Sequence, residues 1–166
     1  MSLKDSAMMP LGTAAPDFSL FDTVSGKNKT FADVAGEKGT LVMFICNHCP
    51  YVIHIAREIA GVAAEYDPKG IGFVAISSND VSERPEDGPE AMAEFAEANN
   101  FIFPYLYDES QDVAKAYDAV CTPDFFGFNA NLELQYRGRI AEVREAAAIP
   151  GARRDLHEAM KQIAET

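Results

Sequence analysis

The chain has 166 residues, enough for one domain with an ordinary core, and its hydrophobic (48%) and charged (24%) fractions are those of a globular protein. The formal net charge of −12 argues against nucleic acid and anionic membranes as partners, because both need a concentrated basic surface. No apolar run approaches the roughly 20 residues that cross a bilayer, and residues 1–10 lack the apolar segment of a secretory signal. We therefore expect a cytoplasmic protein without membrane insertion, whose three cysteines lie in a reducing compartment.

The first predicted elements are a flexible arm and a short hairpin. Residues 1–9 are expected to form the arm, and residues 10–166 a single domain. Ala15–Asp22 alternates apolar and polar side chains, as a half-buried strand does. Residues 25–28, Ser-Gly-Lys-Asn, have the composition of a turn, and Thr30-Phe31 is expected in a return strand or turn. Together these segments predict an N-terminal hairpin extension.

A strand–helix–strand unit is predicted over residues 40–77. Residues 40–45 are almost wholly apolar, which indicates a strand covered on both faces in a parallel or mixed sheet. Apolar residues then recur at helical spacing, and Asp67-Pro68-Lys69-Gly70 ends that helix. Ile71–Ser77 is a second buried strand, so we expect a right-handed crossover.

The rest of the chain is expected to complete an α/β three-layer domain. The predicted segments, in order, are a surface loop at 78–88, a helix from Pro89, a strand at Tyr105–Tyr107, a helix capped by Ser110 and reaching Tyr117, a strand at Phe125–Phe128, a turn at 129–131, a strand at Leu132–Tyr136, an irregular stretch at 137–151 and a closing helix at Ala152–Glu165.

Two cysteines separated by two residues lie between the first buried strand and the following helix, in Cys46-Asn47-His48-Cys49-Pro50. Free amide N–H groups and the helix dipole at this place favour a thiolate over a thiol. One turn of chain lets the two sulfurs join, so that one can attack a partner and the other can resolve the mixed disulfide. His48, when protonated, would stabilise a thiolate further. The spacing therefore predicts a redox-active dithiol.

The same spacing also fits half of a structural zinc site. A second Cys-x-x-Cys pair is absent from the sequence, and His54 falls roughly 140° around a helix from Cys49. The metal alternative is a site built from Cys46, Cys49 and Cys121 with one further ligand. Redox chemistry without a metal or cofactor is the preferred interpretation, and Cys121 is then expected to be buried and inert.

Three stretches, in order, carry a resemblance to known proteins: Gly12–Leu20, Cys46–Pro50 after the central strand, and Thr122-Pro123 before an apolar strand and hairpin. Together they resemble the redoxin branch of the thioredoxin-fold proteins, which includes thiol-disulfide reductases and peroxiredoxins. The resemblance covers roughly residues 10–136. It implies a thioredoxin-like three-layer α/β sandwich with a central mixed sheet.

The resemblance also implies roles for individual residues. The bond between Thr122 and Pro123 is expected to be cis, with the Thr122 backbone binding a partner peptide. Cys46 is expected to attack and Cys49 to resolve. Apart from the resemblance, Pro50 and Tyr51 directly follow the dithiol and are expected to bind the partner, with Tyr51 lining its approach.

Cys49 is the alternative attacking thiol. Pro50 prefers the first helical position, which puts Cys49 at the helix cap. Cysteine followed by proline is also the peroxiredoxin pattern. In the motif Pro-x-x-x-Thr-x-x-Cys of that pattern, Val42 and Cys46 replace the proline and the threonine here, which weighs against peroxidase activity.

We therefore predict an antioxidant thiol-disulfide oxidoreductase that acts on a disulfide- or thiol-containing protein or small molecule and contributes to cell redox homeostasis. One alternative is a peroxiredoxin-like peroxidase that uses Cys49 and is resolved by Cys46. The other is a metal-binding or redox-sensing module of Cys46, Cys49 and Cys121. The pattern assigns no oligomeric state.

Overall fold

In the part of the chain that the structure describes, one mixed sheet of seven strands lies at the centre; numbered along the chain, the strands lie side by side in the order β2-β1-β5-β4-β3-β6-β7. The structure is a computed structural model, and it describes residues 12–45, 50–77, 88–117 and 124–138. The strands are β1 (Ser19–Asp22), β2 (Asn28–Thr30), β3 (Gly39–Phe44), β4 (Ile71–Ser77), β5 (Tyr105–Tyr107), β6 (Asp124–Asn129) and β7 (Leu134–Gly138). The helices are α1 (Phe31–Val34), α2 (Pro50–Tyr66), α3 (Pro89–Ala98) and α4 (Asp112–Ala116).

The centre of the sheet is the parallel pair of β3 and β4, and every residue of both strands is buried. An apolar strand without polar alternation is stable where helices or loops cover both faces of the sheet. β3 also pairs with β6 in antiparallel register, and β6 pairs with β7. The predicted mixed sheet and the parallel strands on either side of α2 are therefore confirmed, as is the hairpin of β1 and β2 at one edge.

Two clusters of buried side chains lie on opposite faces of the sheet. Side chains alternate along a strand, so odd-numbered and even-numbered positions of β3 and β4 belong to different faces. The first cluster joins Leu41, Met43, Ile45, Phe73 and Ala75 to α2 and α3 through Ile59, Val62, Ala63, Tyr66, Met92 and Ala96. The second joins Val42, Phe44, Val74 and Ile76 to Phe18, Phe31, Val34, Tyr117, Phe126 and Phe128. These two clusters and the sheet form the three predicted layers.

The boundaries of α2 follow from its sequence. The helix begins at Pro50, whose fixed φ and missing N–H suit the first helical position. It ends in a single 3-10 turn, Asp67–Lys69, which includes Pro68. Gly70 follows with φ 98°, in the left-handed region where glycine carries no steric penalty. Both predicted ends of this helix are confirmed.

A short helix, α1, replaces part of the predicted return strand. Of the predicted return segment, Thr30 lies in β2, which already begins at Asn28 within the predicted turn, and Phe31 begins the helix. The Thr30 hydroxyl accepts from the Asp33 N–H at 3.4 Å, and the Asp33 carboxylate accepts from the Thr30 N–H at 2.8 Å. Hydrogen bonds from Thr30 lower the pKa of Asp33. This reciprocal cap starts the helix and turns the Phe31 ring into the core.

The prediction that Ser110 caps α4 is correct in part: Ser110 is not the N-cap residue, but its Oγ accepts from the N–H of Asp112, the first helical residue, at 3.3 Å. Gln111, with φ 68°, precedes the helix and makes no side-chain cap. The carboxylate of Asp108 accepts from the next N–H groups, those of Val113 at 3.4 Å and Ala114 at 3.0 Å. Asp108 is almost fully buried at the end of β5, so α4 is capped from the sheet as well as from the preceding loop.

The second strand of the C-terminal hairpin lies two residues later than predicted, at Leu134–Gly138. The side chain of Asn129 accepts from the N–H groups of Asn131 at 2.9 Å and Glu133 at 3.0 Å, which lengthens the turn. The N-terminal segment pairs with this hairpin, since the Gly12 N–H donates to the Leu134 carbonyl at 2.8 Å.

Several predicted segments lie outside the described residues: the arm at 1–9, most of the loop at 78–88, most of the irregular stretch at 137–151 and the helix at Ala152–Glu165. The first two residues of that stretch, 137 and 138, belong to β7, so the prediction is wrong there. Within the described ranges, no helix has the length and apolar character needed to cross a membrane. The cytoplasmic location stays a prediction.

Candidate active site

The predicted redox residues fall in the connection between β3 and α2. β3 ends at Phe44, and α2 begins at Pro50. Cys46, His48 and Cys49 belong to residues 46–49, which lie outside the described part of the chain. The same is true of Cys121, Thr122 and Pro123, and of the side chains of Pro50 and Tyr51. The site is therefore defined by the elements that border it.

The carboxyl ends of β3 and β4 border the connection between β3 and α2. Phe44 lies opposite Ile76 in the parallel register, and the Ile45 N–H donates to the Ile76 carbonyl at 3.0 Å. The two strands therefore stay paired up to the residue before Cys46. Ligand sites of open α/β sheets lie outside the carboxyl ends of such strands.

The amino end of α2 carries partial positive charge beside this connection. The helix is 17 residues long and has no acidic side chain in its first turn. The first N–H groups of a helix have no intrahelical acceptor, and the aligned peptide dipoles place partial positive charge at that end. Because Cys49 directly precedes the first helical residue, this end of α2 favours negative charge on a group at that position.

β6 brings a second motif-bearing segment to the same edge of the sheet. Its first residue, Asp124, lies opposite Phe44, the last residue of β3. Thr122-Pro123 directly precedes Asp124 in the sequence, and Cys46 follows Phe44 by two residues. The end of β3 and the start of β6 therefore lie side by side. The dithiol segment and Thr122-Pro123, which adjoin these two residues in the sequence, are outside the described residues.

Aromatic side chains pack beneath this edge on the second face of the sheet. The Tyr117 ring lies 5.4 Å from that of Phe44 and 5.5 Å from that of Phe126, between centroids. The Tyr117 hydroxyl donates to the Pro16 carbonyl at 2.6 Å. Burial, and secondarily the charge of Asp17, raises the pKa of Tyr117, so the phenol stays neutral. In the sequence, Tyr117 marks only the end of a predicted helix, and no local pattern indicates this link to the N-terminal motif.

Ser77, at the carboxyl end of β4, was also missed. Its side chain is fully buried, and its hydroxyl has no hydrogen-bond partner in the described ranges. The signal available in the sequence was a hydroxyl at the end of an otherwise apolar strand, beside a strand that leads into two cysteines.

A cavity of about 340 Å³ lies at the opposite, amino end of β4. It is lined by Asp33–Glu37, Asp67, Gly70–Phe73 and Ile102–Pro104. None of the predicted site residues lines it. Among the residues that the structure describes, no group of three or more His, Cys, Asp or Glu side chains is arranged to hold a metal ion. The proposed metal site of Cys46, Cys49 and Cys121 lies outside those residues.

Comparisons with known proteins agree with this architecture. Residues 11–143 match the sequence profile of the AhpC/TSA family. A Mycobacterium tuberculosis protein, named as a proposed peroxiredoxin, is 27% identical over 116 residues, which are 70% of this chain and 68% of that protein.

Two solved structures show the likeness in three dimensions. The crystal structure of an uncharacterised conserved protein from Geobacillus kaustophilus has 46% sequence identity and a TM-score of 0.89, over 95% of this chain and 84% of that chain. A secreted Mycobacterium tuberculosis disulfide oxidoreductase, homologous to E. coli DsbE, has 20% identity and a TM-score of 0.67, over 87% and 95% respectively. The second likeness shows the fold alone. The predicted thioredoxin-like fold is confirmed.

Proposed function

This chain belongs to the AhpC/TSA family of thioredoxin-like redoxins, and we propose that it is a thiol-disulfide oxidoreductase with Cys46-Asn47-His48-Cys49 as its redox centre. The observation that supports this most is the start of a 17-residue helix at Pro50, directly after the second cysteine and beyond the carboxyl end of β3. A helix start without acidic side chains favours the thiolate that disulfide exchange requires.

The proposed reaction transfers two electrons from the dithiol to a partner disulfide. The Cys46 thiolate attacks one partner sulfur, the partner disulfide breaks, and the departing sulfur takes up a proton. The Cys49 thiolate then attacks the Cys46 sulfur of the mixed disulfide. This releases the partner as a dithiol and leaves a Cys46–Cys49 disulfide, which a thiol reductant returns to the starting state. Protonated His48 would stabilise the thiolates between these steps.

The partner is a disulfide- or thiol-containing protein or small molecule, held beside the dithiol. The opposition of Phe44 and Asp124 supports a role for Thr122 and Pro123 in binding it, because β6 begins where β3 ends. Tyr51, one residue into α2, would line the approach.

The experiment is a measurement of the midpoint potential in glutathione buffers. The wild-type protein should show one two-electron transition, and Cys46→Ser and Cys49→Ser should abolish it. Cys121→Ser is the matched control, because it removes the third thiol and should leave the transition unchanged. If peptide mass mapping of the oxidised protein shows no disulfide between Cys46 and Cys49, the proposal is wrong.

A second candidate function is peroxide reduction by Cys49. It is favoured by the position of Cys49 immediately before the first helical residue, and by the proposed peroxiredoxin among the relatives. The Cys49 thiolate would attack a hydroperoxide oxygen, forming a sulfenic acid and releasing water or an alcohol. Cys46 would then condense with it to a disulfide and release water. An external thiol donor would reduce this disulfide and regenerate the dithiol. The activity is identified if the wild-type protein reduces hydroperoxide in steady state with such a donor and Cys46→Ser completes only a single turnover.

A further inference from the structure

We draw no further inference here: the strongest candidate, the cavity of about 340 Å³ at the amino end of β4, joins an apolar wall to an exposed cluster of acidic side chains, and nothing in the described part of the chain shows which ligand would occupy it.

Discussion

Phe44 and Asp124 lie opposite each other in the antiparallel pair of β3 and β6. They are 80 positions apart in the chain (124 − 44), yet each is the residue at which its strand meets the same edge of the sheet. Two of the three motifs that resemble redoxins adjoin these residues, one after Phe44 and one before Asp124. The shared edge is the reason to expect that both motifs serve one site.

Cys49→Ser should trap the mixed disulfide. Without the resolving thiol, the Cys46 thiolate still attacks a partner disulfide, but the covalent complex cannot break internally. Steady-state disulfide reduction should fall by at least about a hundredfold, while the complex accumulates and is seen by mass spectrometry of the intact protein.

Cys46→Ser should give no such complex, and this is the control for the order of attack. A complex that forms with Cys46→Ser and not with Cys49→Ser would assign the attacking role to Cys49.

Gly72→Ala should destabilise the fold by about 1–3 kcal/mol or more. A Cβ at position 72 would overlap the Val34 carbonyl oxygen and meet the Gly36 nitrogen at 2.6 Å, both of which belong to the backbone. Backbone atoms packed against a buried strand cannot move away as a flexible side chain can. Urea denaturation monitored by circular dichroism measures the change.

Gly61→Ala is the matched glycine variant and should have the opposite sign. Gly61 is exposed in α2, and a Cβ there meets no atom within 4 Å. The variant should stabilise the protein by roughly 0.5–1 kcal/mol, because alanine loses less conformational entropy in a helix. Equal effects at the two positions would contradict the packing argument.

Tyr117→Phe should cost about 1 kcal/mol at neutral pH, because the Pro16 carbonyl loses its donor while the aromatic packing is kept. Burial raises the pKa of the folded tyrosine above the unfolded value of about 10. The stabilisation is therefore fully present below that value and is lost as the pH rises above it. Denaturation curves should show a steeper alkaline loss for wild type than for Tyr117→Phe; parallel losses would refute this role.

Asp22→Ala should destabilise the protein by about 3 kcal/mol. The buried carboxylate accepts from the N–H groups of Val24 at 3.0 Å, Ser25 at 3.2 Å and Tyr105 at 3.1 Å, which ties the β1–β2 turn to β5. Asp22→Asn keeps one oxygen acceptor and should lose less. If Asp22→Asn had a lower urea midpoint than Asp22→Ala, the charge and number of acceptor oxygens at position 22 would not be what stabilises this turn.

Local patterns in the sequence determined much of the central unit. Ile71–Ser77 is a strand with the predicted bounds, and α2 begins and ends at the predicted prolines and glycine. These elements depend on side-chain periodicity and on the backbone limits of proline and glycine, which act between near neighbours in the chain. The same local chemistry placed the two cysteines before a helix.

Tertiary structure decided what no local pattern contains. Ser110 accepts from the first N–H of α4, as the local pattern suggested, but the next two N–H groups are capped by Asp108, whose backbone is held by pairing with β4. The opposition of Phe44 and Asp124 and the bond from Tyr117 to Pro16 arise in the same way. Each depends on which strands lie side by side, and that order is set by burying both faces of one sheet at once.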